Sequence, residues 1–326
     1  MNQAGFRLKK FVSDNQIILV LAGLIAGAIF PTVFKPISPF ATPMLMAIFF
    51  TSSLRLNLSE LMNYAKDLRM VVIANVVMLL FIPIAMFLPL KLFAPDWALP
   101  FLIVGAMPTG LTVALIADLF GGKSSLAMLV SVTTSLLAPF TVPFVFWLMV
   151  GQSVPLPVTK LFTSLFFTIV IPFCLAMMAK KAAPRFTAQH DVAWREISLA
   201  LFVLLVAAAV ADTVQGESLS LGWNEVGILI VMIVYMGGLA WLAYGLTGWR
   251  NAAERITLTL CMVYMNNTLA LWVGGTFFKQ YGVVPRLLII LAGVNALLPP
   301  IKWLARNRIA AELAKNPQRR TEAPNF

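Results

Sequence analysis

Two short polar stretches interrupt an otherwise oily chain. Gly105-Ala106-Met107-Pro108-Thr109-Gly110-Leu111-Thr112 sets a Pro-x-Gly break and two hydroxyls inside one apolar run, and Tyr264-Met265-Asn266-Asn267-Thr268-Leu269 sets two amides and a hydroxyl inside another. Groups of this kind bind rather than catalyse. Amides and hydroxyls donate and accept hydrogen bonds, and a broken helix adds the free N–H groups and roughly half a positive charge at the start of its second half. Pro108 removes a backbone donor and clashes with the preceding turn, while Gly110 relaxes the chain. The combination suits a small anion or a polar solute. The candidate binding residues are Thr109, Thr112, Asn266, Asn267 and Thr268, with Pro108 and Gly110 making the break and Asn75 a further neighbour. A reading without a site stays open: a proline kink in one run and an interhelical Asn–Asn bond in the other.

Other chemistry finds little support. A structural metal site needs about four clustered ligands. The chain has two cysteines, Cys174 and Cys261, both inside apolar runs and expected as small buried hydrophobes, and one histidine, His190, in a polar loop. No disulfide framework follows. An intramembrane enzyme would need an aspartate-rich metal motif, a His/Glu pair or an activated nucleophile, and none is present, so neither an enzyme nor a cofactor is expected. The net charge of +11 raises nucleic acid as a partner. The bases are scattered over short loops and the tail, with no basic stripe, aromatic-interleaved patch or zinc spacing. Phospholipid headgroups and membrane orientation explain the charge better.

The elements that must position the polar residues follow from hydropathy. The 326 residues are 60% hydrophobic and 11% charged, whereas soluble domains average about 25% charged, so the solvent must be mostly lipid. A spanning helix needs roughly 20 apolar residues. Ten stretches qualify: 17–34, 38–54, 70–90, 97–119, 124–150, 161–179, 197–214, 224–247, 256–277 and 285–304. Lys35-Pro36, Ala94-Pro95-Asp96, Gly121-Gly122 and Pro155-Leu156-Pro157 mark turns between them. The run 38–54 is short and ends in Thr51, Ser52 and Ser53. Arg7, Lys9 and Lys10 precede a first run long enough to span, which reads as a transmembrane helix rather than a cleaved signal.

An even number of spans puts both termini on one side. That side carries 19 of the 24 Lys and Arg residues, and the other carries Lys35, Lys91, Lys160, Lys279 and Arg286. This bias over short loops predicts cytoplasmic termini in a plasma (inner) membrane. The expected organisation is a cytoplasmic segment 1–16, five spans over 17–150, five more over 151–304, and a frayed basic cytoplasmic tail over 305–326. The fold class is an all-α polytopic membrane protein.

The two groups of five spans resemble each other. Thr134-Ser135-Leu136-Leu137-Ala138-Pro139 in span five and Asn295-Ala296-Leu297-Leu298-Pro299-Pro300 in span ten match loosely, 161 positions apart. Five spans repeated once must insert upside down the second time, the inverted-repeat plan of many secondary transporters. Both breaks fall in the fourth span of their repeat and near its middle; Pro-Thr-Gly lies about 16 Å into span four at ~1.5 Å per residue. Irregular backbone at that depth must face protein or a wet cavity, so both breaks are expected to face inward and to meet.

At these residues the chain resembles the bile acid:sodium symporter family. Met107-Pro108-Thr109-Gly110 stands where that family carries a Cys-Pro-Gly-Gly-Thr-like turn, Leu126 to Pro143 looks like its span five, and Met265-Asn266-Asn267-Thr268 corresponds to its Met-Gln-Asn-Ser-Gly. The resemblance is clearest over 105–150 and 256–278. It implies a panel of spans 1, 2, 6 and 7, a core of spans 3, 4, 5, 8, 9 and 10 with spans four and nine crossing, organic-anion substrates, and sodium-coupled alternating access. The family's sodium ligands are mostly replaced, however. Its serine and asparagine after the span-four turn align with Val113 and Ala114, its span-nine glutamate with Met262, its span-three glutamine with Met78, and its span-five serine and threonine with Ala127 and Ser131. Only Asn266 and Ser131 remain as residual sodium-site candidates. A hard cation wants about six oxygens, so the sequence predicts transport independent of sodium. Proton coupling through Asp118 or Asp212, both at span ends, and facilitated diffusion are the alternatives. Competing readings are an arsenite-type efflux permease, which would have a cysteine where Met107 stands, and a sensor or receptor scaffold without flux.

Overall fold

The computed structural model describes residues 16–56, 64–110, 112–151, 157–216 and 223–315. The N-terminal segment before residue 16, Pro155-Leu156 of the expected turn, and the tail beyond residue 315 lie outside the described residues. Every regular element among the described residues is a helix: α1 Gln16–Ile29, α2 Pro31–Leu54, α3 Leu68–Phe93, α4 Pro95–Ala106, α5 Val113–Leu119, α6 Ser124–Val150, α7 Val158–Ala182, α8 Asp191–Gly216, α9 Trp223–Leu246, α10 Ala252–Val263, α11 Asn267–Phe277, α12 Val283–Ala296 and α13 Leu298–Lys315, with a short helix Pro184–Gln189 before α8 and a 3₁₀ turn Lys279–Tyr281 after α11.

Among the described residues six helical runs are long and apolar enough to cross a membrane: α2, α3, α6, α7, α8 and the run from Val283 through Ala305. α4 and the Ile230–Leu246 part of α9 are shorter apolar helices. Large apolar side chains are exposed along them, among them Phe93, Phe140, Trp147, Val234 and Trp241. Water would penalise that surface, and lipid does not. The protein is a multi-pass helical membrane protein.

Prolines explain most departures from straight helices. The first break falls at Phe30–Pro31 rather than at the expected Lys35-Pro36, because Pro31 pushes Phe30 out of the helical region (φ −117°, ψ 53°). Lys35–Phe40 instead forms a 3₁₀ turn inside α2. In α3 the backbone widens into a π-turn over Val77–Phe81, just before Ile82-Pro83, and Ile82 N–H donates to Val77 O. The same widening over Phe166–Val170 precedes Ile171-Pro172 in α7. A wider turn takes up the missing N–H and the crowding of a proline ring. Between α5 and α6 the expected Gly121-Gly122 turn is present. Gly121 sits at φ 74°, a conformation that favours glycine.

Two expectations fail. The chain from Arg306 is not frayed at once: α13 runs on to Lys315, because Ala305 to Lys315 is rich in Ala, Leu, Arg and Glu, all good helix formers. Cys174, expected to be buried, is exposed on α7 while Cys261 is buried. In lipid an apolar residue is satisfied on either face.

The chain divides into two compact units: Met1–Arg55, Phe167–Ser220 and Leu271–Leu288 in the first, and Leu56–Phe166, Leu221–Ala270 and Ile289–Phe326 in the second. The first unit thus holds α1, α2, most of α7, and α8, the helices expected for the panel. It also takes the end of α11 and the start of α12, which the resemblance had placed in the core. Within this unit α1 packs closely on α8. A Cβ on Gly27 would lie 2.3 Å from Ala207 O, and one on Gly23 2.9 Å from Val203 Cγ1. Ser52 and Ser198 share a hydrogen bond (2.9 Å), Arg55 pairs with Asp191 (3.3 Å), Trp272 Nε1 donates to Thr42 (2.9 Å) and Lys279 pairs with Asp212 (2.7 Å). The second unit contains α3 to α6, α9, α10, the first turn of α11, the end of α12, and α13. Its loop ends are tied by Arg250, which pairs with Asp67 and with Glu254. Asp67 and Asn251 cap α3 and α10, accepting from Met70 N (3.1 Å) and Glu254 N (2.9 Å).

Candidate substrate site where two broken helices meet

All of the candidate residues fall in the second unit, and the two breaks meet there. α4 ends at Ala106, Met107 is extended (φ −74°, ψ 148°), and helix resumes only at Val113. Pro108 enforces the extended Met107. α10 ends at Val263 and α11 begins at Asn267, with neither proline nor glycine between them. The two extended strands run antiparallel past each other. Gly110 N–H donates to Tyr264 O (3.0 Å), Asn266 N–H donates to Pro108 O (2.8 Å), and Thr109 bridges Met265. Each break satisfies backbone groups that the other leaves orphaned, which is how irregular backbone is tolerated inside a membrane protein. Gly110 is needed for the approach: a Cβ there would lie 3.3 Å from both Tyr264 O and Met265 O.

The side chains divide into those that hold the crossing and those left to act. Thr109 is fully buried; its hydroxyl donates to Cys261 O (3.2 Å), lies 3.1 Å from the Met78 sulfur, and its N–H donates to Thr134 Oγ1 (3.3 Å). Ser131 Oγ donates to Gly110 O (3.2 Å). Asn266 Oδ1 accepts from Leu269 N (3.0 Å), capping α11. Asn267 and Thr268, also buried, form the first turn of α11. Thr112 is half-buried at the start of α5 and its hydroxyl caps nothing. Asn75, on α3, is hydrogen-bonded to Val71 O (2.8 Å) and to Thr133 on α6 (3.0 Å). The crossing therefore gathers Thr109, Gly110, Asn266 and Ser131 directly, with Asn267 and Thr268 next in chain and Asn75 one turn of α3 from Met78.

Several participants were not singled out as site residues. Thr133, Thr134 and Ser135 form a run of three hydroxyls on α6. Tyr264 OH donates to Asn295 Oδ1 (3.0 Å), and Asn295 Nδ2 donates to Leu291 O (2.7 Å), so the break after α10 is tied to the end of α12. Thr134, Ser135 and Asn295 all lie in the two loosely similar segments, 134–139 and 295–300. Their clustering of polar groups inside apolar spans was the available signal.

Of the positions that the resemblance sets against sodium ligands, Met78, Val113, Ala114, Ala127 and Met262 are buried apolar side chains, while Ser131 and Asn266 are buried and polar. Among the described residues no three of His, Cys, Asp and Glu cluster as metal ligands. Asp118 is exposed at the end of α5, and Asp212 is paired with Lys279.

The similarity to known proteins extends beyond the crossing. The Sodium Bile acid symporter family model matches residues 42–218. Sodium/bile acid cotransporter 7-B of Xenopus laevis is 25% identical over 339 residues, covering 95% of this chain and 98% of that protein. Sodium/bile acid cotransporter 7 of Xenopus tropicalis is 25% identical and 7-A of Xenopus laevis 26%, each covering 96% of this chain and 98% of the relative. These relatives are transporters rather than enzymes. With the family match spanning more than half of its length, the chain belongs to the sodium bile acid symporter family.

Proposed function

We propose that this membrane transporter is a secondary carrier of a small organic anion, working by alternating access, with its substrate held at the helix crossing and without coupling to sodium. The observation that carries the reading is the antiparallel pairing of the two breaks, Gly110 N–H to Tyr264 O and Asn266 N–H to Pro108 O. A chain that only needed ten hydrophobic crossings would gain nothing from unwinding two helices at one place. The unwinding sets the Asn267 and Thr268 side chains in the first turn of α11, and Thr112 beside the other break, as donors to an anion, while the Asn267 and Leu269 amides are taken up by Met265 O and Asn266 Oδ1. Thr109 and Asn266 hold the backbone in place for them, and Asn75 lies nearby. Ten spans in two inverted repeats, with both termini cytoplasmic, are the arrangement that this function and the basic bias of the loops favour.

The sodium part rests on which oxygens remain. Dehydrating a monovalent cation near mid-membrane is costly, and several convergent oxygens are needed to offset it. Here the family's charged ligand is a thioether at Met262, Val113 and Ala114 replace two oxygen-bearing side chains, the Asn266 carbonyl already accepts from Leu269 N–H, and the Ser131 hydroxyl, whose proton goes to Gly110 O, offers its lone pairs as a single side-chain ligand where about six oxygens are wanted. The test is uptake of organic anions, including bile acids, into proteoliposomes in sodium and in choline at equal ionic strength. Equal uptake in both is expected. A sodium-specific rise of tenfold in affinity, about 1.4 kcal/mol of coupling, would overturn the uncoupled reading, and no uptake of any anion would overturn the carrier.

A further inference from the structure

Asn75 is 7% exposed, and its Oδ1 has no hydrogen-bond partner among the described residues. The orientation of its amide is fixed by its neighbours. Nδ2 lies 2.8 Å from Val71 O and 3.0 Å from Thr133 Oγ1. A carbonyl only accepts, so the nitrogen must face Val71. The Thr133 hydroxyl in turn lies 3.0 Å from Leu129 O and 3.2 Å from Val130 O, where its single proton is used. Turning the amide over would set two carbonyl oxygens against each other. Oδ1 is therefore a buried acceptor that these neighbours hold in place and do not satisfy.

Three other buried atoms lack a partner among the described residues: Trp194 Nε1 and Arg250 Nε, which are donors on other elements, and Ser135 Oγ, the one hydroxyl near Asn75 on α6. Ser135 and Asn75 are not equivalent. A helical serine satisfies itself by rotating toward the carbonyl four residues back. An asparagine whose nitrogen is already committed has no such escape, and a buried acceptor left unpaired is costly enough to demand an explanation.

The acceptor lies close to the crossing. Met78, one turn along α3, has its sulfur 3.1 Å from Thr109 Oγ1, and Thr134, the neighbour of Thr133 on α6, accepts from Thr109 N at 3.3 Å. We infer that Asn75 Oδ1 is a specificity subsite that accepts a hydrogen bond from a hydroxyl or N–H group on the transported anion, so the substrates are hydroxy- or amino-bearing organic anions rather than plain carboxylates. This rests on the anion-carrier reading above. A site built to receive a donor discriminates strongly against the analogue that lacks it, because the buried acceptor is then left unpaired.

The test uses matched anion pairs differing by a hydroxyl: glycolate and acetate, lactate and propionate, and the hydroxylated cholate against hydroxyl-free 5β-cholanate. Binding to the purified full chain is followed by thermal shift and then by calorimetry. At least one hydroxylated member is expected to bind roughly tenfold or more tightly than its partner. Asn75→Leu should bring that ratio within twofold, because neither member then meets an acceptor at this position. Asn75→Ala, which cannot overpack, gives the same reading should the leucine variant fail to fold. Equal affinities within every pair in the wild type, or discrimination that survives both substitutions, would overturn the subsite and leave the carrier standing. Failure of every anion to bind would remove the carrier reading and this inference with it.

Discussion

The two breaks reach the same crossing by different means. Between α4 and α5 the interruption is written into the local sequence: Pro108 forces Met107 into an extended conformation, and the chain stays irregular from Met107 through Thr112. Between α10 and α11 there is no proline or glycine. Tyr264, Met265 and Asn266 leave the helix where their backbone pairs with Pro108 and Gly110 and where Asn266 caps the next helix. One break is imposed from within its own segment. The other is held open by its partner and by a single side chain. The second should therefore be the more fragile, and substitutions at the first should be felt at the second.

Gly110→Val should have the largest effect. It drives a branched side chain against Tyr264 O and Met265 O, already 3.3 Å from where a Cβ would stand, and should destabilise the fold by about 1–3 kcal/mol and abolish transport. Hydrogen exchange at the Asn266 amide, protected by its bond to Pro108 O, reports the separation: loss of protection is expected, and retained protection would mean that the breaks do not depend on each other. Asn266→Ala removes the cap on Leu269 N and should cost about 1 kcal/mol, with Asn266→Asp restoring most of it in chemical denaturation. Equal losses for both would show that capping is not what the residue does. Thr109→Val deletes the hydroxyl bond to Cys261 O and should cost about 0.5–1.5 kcal/mol without moving the backbone bridge. Pro108→Ala is expected to be mildest, within about 1 kcal/mol, because the bonds from Gly110 N–H to Tyr264 O and from Asn266 N–H to the residue-108 carbonyl remain. If it instead costs more than Asn266→Ala, the ranking of the two breaks is inverted.

The same asymmetry governs what could be read in the sequence. The break between α4 and α5 was legible from Pro108 and Gly110 because it is local. The break between α10 and α11 was legible only as polar residues at an apolar centre, and its extended geometry came from tertiary pairing that no local propensity encodes. The π-turns before Pro83 and Pro172, and the break at Pro31 rather than Pro36, show a limit of proline as punctuation. The residue marks where a helix must adjust, and packing decides whether it widens, tightens or stops. Thr109 was legible as polar and central. That its hydroxyl turns toward Cys261 and Met78 was not, since the direction of a side chain on irregular backbone depends on backbone angles the sequence does not state. Thr134, Ser135 and Asn295 were visible as members of two loosely similar segments rather than as neighbours of the breaks, because their role depends on which helices pack together.

The central claim is that the crossing binds a small organic anion through the first turn of α11. Calorimetric titration of an anion that the wild type binds into Asn266→Ala, Asn267→Ala and the double variant tests it most directly. Asn267→Ala should weaken binding roughly tenfold, about 1.4 kcal/mol, while its unfolding midpoint without ligand stays close to that of the wild type. The double variant should bind more weakly still. Affinity unchanged in all three folded variants would contradict the claim and leave these amides as groups that only pack helices together.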